Sequence, residues 1–115
     1  MKIISFAWTT EALLSGNKTV TRRTWKKQLV NVGDIVQAYD RSPRFKGKKV
    51  ALIEITSVSR EPLNMITYIE EQKEGGLWGS SRSFVDSFLS AYKGMEETDL
   101  VWRIEFRIKE VINNK

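Results

Sequence analysis

Apolar and polar positions along this 115-residue chain fall into short runs separated by turn residues. The last run is the clearest. Trp102, Ile104, Phe106 and Ile108 alternate with Arg103, Glu105, Arg107 and Lys109, the period of two that marks a half-buried strand. Lys2 to Phe6 reads as a short buried strand. Ile35 to Tyr39 reads as another, entered through a tight Val32-Gly33-Asp34 turn, and Val50 to Val58 as a long apolar one whose continuation ends at Pro62. Lys18 to Trp25 is β-branched and polar, which suits an extended segment at the rim of a core. In an ideal strand Lys18, Val20 and Arg22 share one face while Thr19, Thr21 and Arg23 share the other.

The helical signals are shorter. Thr9 or Thr10 is placed to cap a helix with Glu11 in its first turn and Ala12, Leu13 and Leu14 on its apolar side; Gly16 ends it. Thr67 followed by Glu70 forms a capping box for a helix from Tyr68 towards Glu74, stopped by Gly75-Gly76. A further helix is predicted from Ser83 to Tyr92, with Phe84, Val85, Phe88, Leu89 and Tyr92 as one stripe and Gly94 closing it. Four or five strands with short helices inserted predict a compact, barrel-like α+β domain spanning residues 1–115. Regular strand–helix alternation is missing, which argues against a doubly wound sheet. Gly75-Gly76 and Gly79 lack the spacing of a phosphate-binding loop.

Composition narrows the chemistry. Hydrophobic residues make up 41% of the chain, enough for one core with little left for a second. Cys and His are absent, so disulfides, thiolate nucleophiles, His bases and ordinary zinc or copper sites are excluded. Neither a membrane-length apolar run nor a signal-peptide pattern appears, so a cytosolic protein without a membrane partner is expected, monomeric by default. Charge is uneven. Residues 1–50 carry eleven Lys and Arg against three acids, a net of +8, while the remainder nets −3. Such polarity suits a polyanion, of which a phosphate backbone is the usual cytosolic case; the plainer alternative is a solvated basic surface.

Gly16-Asn17-Lys18-Thr19-Val20-Thr21-Arg22-Arg23, just after the first short helix, resembles the G-x-K-T-x-T-x-R signature of ASCH domains. The opening Ile4-Ser5-Phe6 strand, the Gly33-Asp34 turn, the long central strand and the closing strand agree in order. The resemblance covers nearly the whole chain and implies a PUA-like β-barrel with short helices packed at its ends. It also implies a cleft lined by the motif and a role with RNA or a modified nucleoside. Some small ASCH members are amidohydrolases that deacylate acetylated cytidine nucleosides without a metal or cofactor, and ribonuclease activity is also associated with the family. Carried over by position, their working residues are Lys18, Thr21 and an acid of the helical insert, Glu74 first, with Glu70 and Glu71 open. The chain departs from those members at 77–94, which adds a helix, and at Arg41 to Lys49, which is long and basic. Either could reshape or cover the cleft.

The residues give each reading a physical basis. A Thr hydroxyl needs a base, and a Lys serves only when burial or neighbouring cations lower its pKa. Arg22 and Arg23 supply such cations, but Lys18 and Thr21 would point to opposite faces, so a bulge or turn is required. Otherwise Lys18 holds a phosphate or a carbonyl, and Thr21 is an ordinary strand residue. For RNA, Arg22, Arg23, Lys26, Arg41, Arg44 and Lys48 are the candidate phosphate contacts, with Trp25 and Phe45 as stacking platforms. Trp25 could equally belong to the core. Trp8 and Tyr39 are candidate cleft walls, although Trp8, Trp78 and Trp102 are assigned mainly to the core and Trp78 could act as a lid. A protein-interaction module using the Ser83 to Tyr92 helix is the third possibility.

Overall fold

The computed structural model describes residues 1–112; the last three residues of the domain expected over 1–115 lie outside the described residues. Five strands form one mixed sheet: β1 (Ile3–Ser5), β2 (Val20–Arg23), β3 (Ile35–Tyr39), β4 (Lys49–Pro62) and β5 (Leu100–Val111). Their order is β1-β3-β4-β5-β2, with β1 parallel to β3 and every other pair antiparallel. The expected barrel is thus not closed by strand pairing, because β1 and β2 are the two outer strands. The only hydrogen bond recorded between these two edges, among the described residues, is a side-chain one, from Arg23 Nη2 to the Ser5 carbonyl at 2.9 Å.

The short helices are α1 (Thr10–Leu14), α2 (Tyr68–Lys73) and α3 (Ser81–Ala91). Thr67 caps α2 as its spacing predicts, accepting from the Glu70 N–H at 3.2 Å. The Thr9 and Thr10 hydroxyls do not cap α1. They donate backwards to the Phe6 and Ala7 carbonyls, because a single-turn 3-10 helix at 7–9 has already taken the chain into helical dihedrals. Ala7 opens that turn at φ 47°, a left-handed conformation that costs a non-glycine residue energy.

Apolar side chains divide into two clusters rather than one. Val36, Ile53, Ile55, Ile104 and Phe106 centre the larger, with Trp25, Trp102 and Ile108 packed against it. Leu63, Ile66, Phe84, Val85 and Val101 form the smaller, where Val101, one residue before the alternating run, turns to the opposite side from Ile104. Strand β4 is longer than its apolar run because residues 59–62 keep pairing with β5 although they bury little.

Candidate functional site

Local chain geometry first brings Lys18 and the acid together. Gly16, at φ 85°, ends α1 and turns the chain back so that the Lys18 N–H donates to the Ala12 carbonyl and the Thr19 N–H to the Lys73 carbonyl. Lys18 therefore forms a backbone bridge with Glu74, the residue that ends α2. Gly75 and Gly76, both at positive φ, let α2 stop there, and a Cβ on Gly75 would come within 3.1 Å of the Ala12 Cβ.

Lys18 Nζ donates to Glu74 Oε1 at 2.6 Å and to the Glu74 carbonyl at 3.2 Å, with both side chains only 2–3% exposed. Burial pushes the Lys18 amine below its ordinary value, with Arg23 and Arg22 adding to the fall, while Glu74 restores part of it. The other Glu74 oxygen is held by Arg22 Nη1 at 2.9 Å. Arg22 also reaches Glu61 at 2.7 Å and Glu70 at 2.8 Å, and Glu70 in turn is gripped by Arg103 Nε at 2.5 Å. Burial works against the Arg22 charge, yet Glu74, Glu70 and Glu61 together hold its pKa above the usual value. Glu70, paired by Arg103 first and Arg22 next, has its carboxyl pushed down to about 2.

Thr21 and Arg23 lie on the other face of β2, where Arg23 Nε donates to Thr21 Oγ1 at 3.2 Å. The expected alternation therefore holds: Lys18 and Arg22 meet Glu74, while Thr21 and Arg23 meet each other. Both pairs nevertheless line one cavity of about 220 Å³. No bulge is needed, since the β2–β5 register is regular and β2 is an outer strand whose free edge is reached from both faces. The rest of the wall is aromatic. Trp8, Trp78, Phe84, Phe88 and Tyr92 all border the cavity and touch in sequence, with ring centroids 5.3, 4.6, 5.9 and 4.9 Å apart. Helix α3 thus covers the cleft, one of the two outcomes its extra length allowed.

Several candidate residues stand elsewhere. Trp8 is 66% exposed at the cavity lip, not core, because the left-handed Ala7 turns it outward; Trp78 and Trp102 are only half-buried. Tyr39 does not line the cavity: β1 lies between it and the gap. Arg22 offers nothing to a phosphate, since its side chain has no exposure and is occupied by three carboxylates. Trp25 is half-buried on the larger core, accepts a bond from Trp102 Nε1 through its carbonyl, and borders a second cavity with Lys2, Ile3, Ile4, Leu29 and Val30. Lys26, Arg41, Arg44, Phe45 and Lys48 are exposed and lie away from the main cavity. Of the acids left open, Glu74 alone meets Lys18; Glu70 belongs to Arg22 and Arg103, and buried Glu71 receives the Trp78 N–H at 3.2 Å. Glu61 and Arg103 went unnoticed in the sequence because their partners are distant along the chain. Among the described residues no group of three or more carboxylates is placed to hold a metal, and no helix is long and apolar enough to cross a membrane.

An α+β domain with an ion-paired polar floor under an aromatic wall can enclose a small flat ligand beside a hydroxyl and an amine. Neither a protein-family model nor a curated protein matches the sequence. Solved structures do. An ASCH domain from Lactobacillus crispatus superposes with a TM-score of 0.79 at 17% identity, covering 95% of this chain and 79% of that one. A DUF984 protein from Enterococcus faecalis gives 0.72 at 18%, covering 99% and 83%, and an ASCH protein from Zymomonas mobilis gives 0.66 at 16%, covering 95% and 68%. The fold of this chain is the ASCH-domain fold.

Proposed function

We propose that the chain is a cytoplasmic, metal-independent amidohydrolase that binds a modified nucleoside in the α3-covered cavity and removes its acyl group, as on N4-acetylcytidine. One observation carries this reading: the buried Lys18–Glu74 pair and the Thr21 hydroxyl line the same aromatic-walled cavity. In the same reading the curled sheet is the family's PUA-like barrel, its last gap spanned by the Arg23 side chain.

The chemistry assigns each group a step. Neutral Lys18 takes the Thr21 proton as Oγ1 attacks the acyl carbonyl; the bond from Arg23 Nε leaves that proton free and favours the alkoxide. Lys18, relayed by Glu74, then protonates the departing exocyclic amine, leaving an acyl-Thr21 ester. Water attacks the ester as its proton passes to Lys18; the acyl–Oγ1 bond then breaks, Lys18 returns that proton to Thr21 Oγ1, and the acid departs as acetate, its own proton lost to solvent. Because Lys18 must be neutral to act, kcat/KM rises with pH and levels off above its lowered pKa.

The test is release of cytidine from N4-acetylcytidine by purified protein without added metal, beside Lys18→Ala and Thr21→Val. Turnover by wild type alone is expected; a wild type that releases no cytidine overturns the reading. A second reading, RNA binding, draws on a different observation. Phe45 is 67% exposed under the Arg44 guanidinium, and among the described residues Arg41, Arg44, Lys46 and Lys48 have no ion pair. A base could stack on Phe45 while those cations meet phosphates.

A further inference from the structure

The cations around the cavity are unequal. Lys18 is neutralised by Glu74, Arg22 by Glu61, Glu70 and Glu74, and Arg103 by Glu70 and Glu105. Arg23 has no carboxylate of its own: the Glu74 charge reaches it only through space, and its guanidinium lies over the Phe6 ring, 5.5 Å from the centroid. Its two bonds go to uncharged oxygens, Thr21 Oγ1 and the Ser5 carbonyl, and among the described residues it has no ion pair. A half-buried guanidinium without a carboxylate in contact is costly, and proteins keep such groups where a ligand supplies the missing anion. Arg23 Nη1 has no protein partner, yet the one sealed and unsatisfied side-chain nitrogen among the described residues is Arg22 Nε. The spare donors of Arg23 therefore open onto the cavity it borders.

Position limits what the anion can belong to. Arg23 Nε is taken by the Thr21 hydroxyl and one Nη2 hydrogen by the Ser5 carbonyl, so an anion meets the Nη1 end of the same guanidinium that touches Thr21. A phosphate on the far side of a ribose lies too distant from the acyl carbon to reach it. A carboxylate carried by the acyl group itself does reach, and its planar pair of oxygens matches the guanidinium fork. The same cavity is bordered by the unbroken band of five aromatic rings from Trp8 to Tyr92, suited to a flat base.

We propose that the cavity selects an acidic acyl group, a dicarboxylic acyl such as succinyl, with its free carboxylate on Arg23 and the acylated base along the Trp8–Tyr92 band. This rests on the cavity being the ligand site proposed above, but not on its turning over.

The test compares N4-succinylcytidine with N4-acetylcytidine on the wild-type protein. Binding is read by quenching of the cavity tryptophans, and cytidine release is followed in the same samples. The succinyl compound is expected to bind, or where hydrolysed to show kcat/KM higher, by roughly ten- to hundredfold, the span that charge-assisted hydrogen bonds provide. Arg23→Gln should reduce that ratio to near one, and Arg23→Lys, which keeps the charge but not the fork, should retain part of it. The wild-type ratio carries the test even if a variant folds poorly. Tighter binding of the succinyl compound with no cytidine released from either would uphold the acidic-acyl site and sink the hydrolase reading. Turnover of both compounds at equal kcat/KM would do the reverse. Absence of binding and turnover alike overturns both.

Discussion

The edge of β2 and the loop from Arg41 to Lys49 are both dense in cations along the chain, yet the fold treats them in opposite ways. At the edge, Lys18 and Arg22 are buried and tied to carboxylates drawn from α2 and β4, so their charges are fixed in place and shielded from solvent ions. In the loop, Arg41, Arg44 and Lys48 stand in water, where long side chains are mobile and their charges screened. Buried, paired charges can hold a proton-transfer geometry; exposed ones can attract a polyanion but position nothing closely. The difference divides possible functions between two surfaces of one small domain.

The largest expected effect breaks or secures that division. Lys18→Ala or Thr21→Val should lower kcat for N4-acetylcytidine by about two to four orders of magnitude. The double variant Arg44→Ala, Phe45→Ala should leave it within about twofold, as surface changes away from a site usually do. Steady-state kinetics on the three proteins decides the matter. Loop variants that lose turnover as deeply as Lys18→Ala would mean that the two regions form one site.

Stability separates the regions next. Glu74→Ala removes the counter-charge shared by Lys18 and Arg22, which should cost about 3–5 kcal/mol, the usual loss when a buried pair is broken. Lys18→Ala should cost less, because Arg22 still holds Glu74 at 2.9 Å. Lys48→Ala should stay within about 0.5 kcal/mol of wild type. Urea unfolding of the three variants gives the ranking, and an unchanged midpoint for Glu74→Ala would show the pair to be energetically idle.

Patterns that depend on neighbours in sequence were legible beforehand. The alternation of β5, the Thr67–Glu70 cap and the stripe on α3 are set by residues a few positions apart, and each forms close to where the sequence places it. The face assignment in β2 was legible for the same reason. What stayed hidden depends on topology. That Thr21 and Lys18 share a cavity follows from β2 being an outer strand, which local pattern does not encode. Arg22 looked like a phosphate ligand because its partners Glu61, Glu70 and Glu74 lie 39 to 52 residues away. Trp8 looked like core, and only the left-handed turn at Ala7 exposes it.

A smaller effect sharpens the contrast through pH. The Glu70 carboxyl, pushed from 4.5 to about 2 by Arg103 and Arg22, stabilises the fold fully above its unfolded value and loses that contribution as pH falls from about 4.5 towards 2. The difference in thermal stability between wild type and Glu70→Gln should therefore be constant from neutral pH down to about 5 and shrink below it, since protonated Glu70 resembles Gln. A gap that persists undiminished at pH 2 would place the stabilisation in packing rather than in charge. No such acid dependence is expected from Arg44→Ala, whose side chain has no carboxylate partner among the described residues.

The smallest effect belongs to the loop and reads its side of the comparison directly. If Arg41, Arg44 and Lys48 meet RNA phosphates, each bound cation releases counterions, and the logarithm of affinity falls with the logarithm of salt by about 0.7 per contact on a single strand. Replacing one of them with Ala should flatten that slope by about 0.7 and weaken binding to unrelated sequences alike. Replacing Phe45 with Ala should instead leave the slope unchanged and cost about 1–3 kcal/mol, the contribution of one stacked base. Fluorescence titrations of a short single-stranded RNA between low and moderate salt separate the two signatures. A slope insensitive to all three cations would take the loop out of nucleic-acid binding and leave the β2 edge as the domain's one ligand surface.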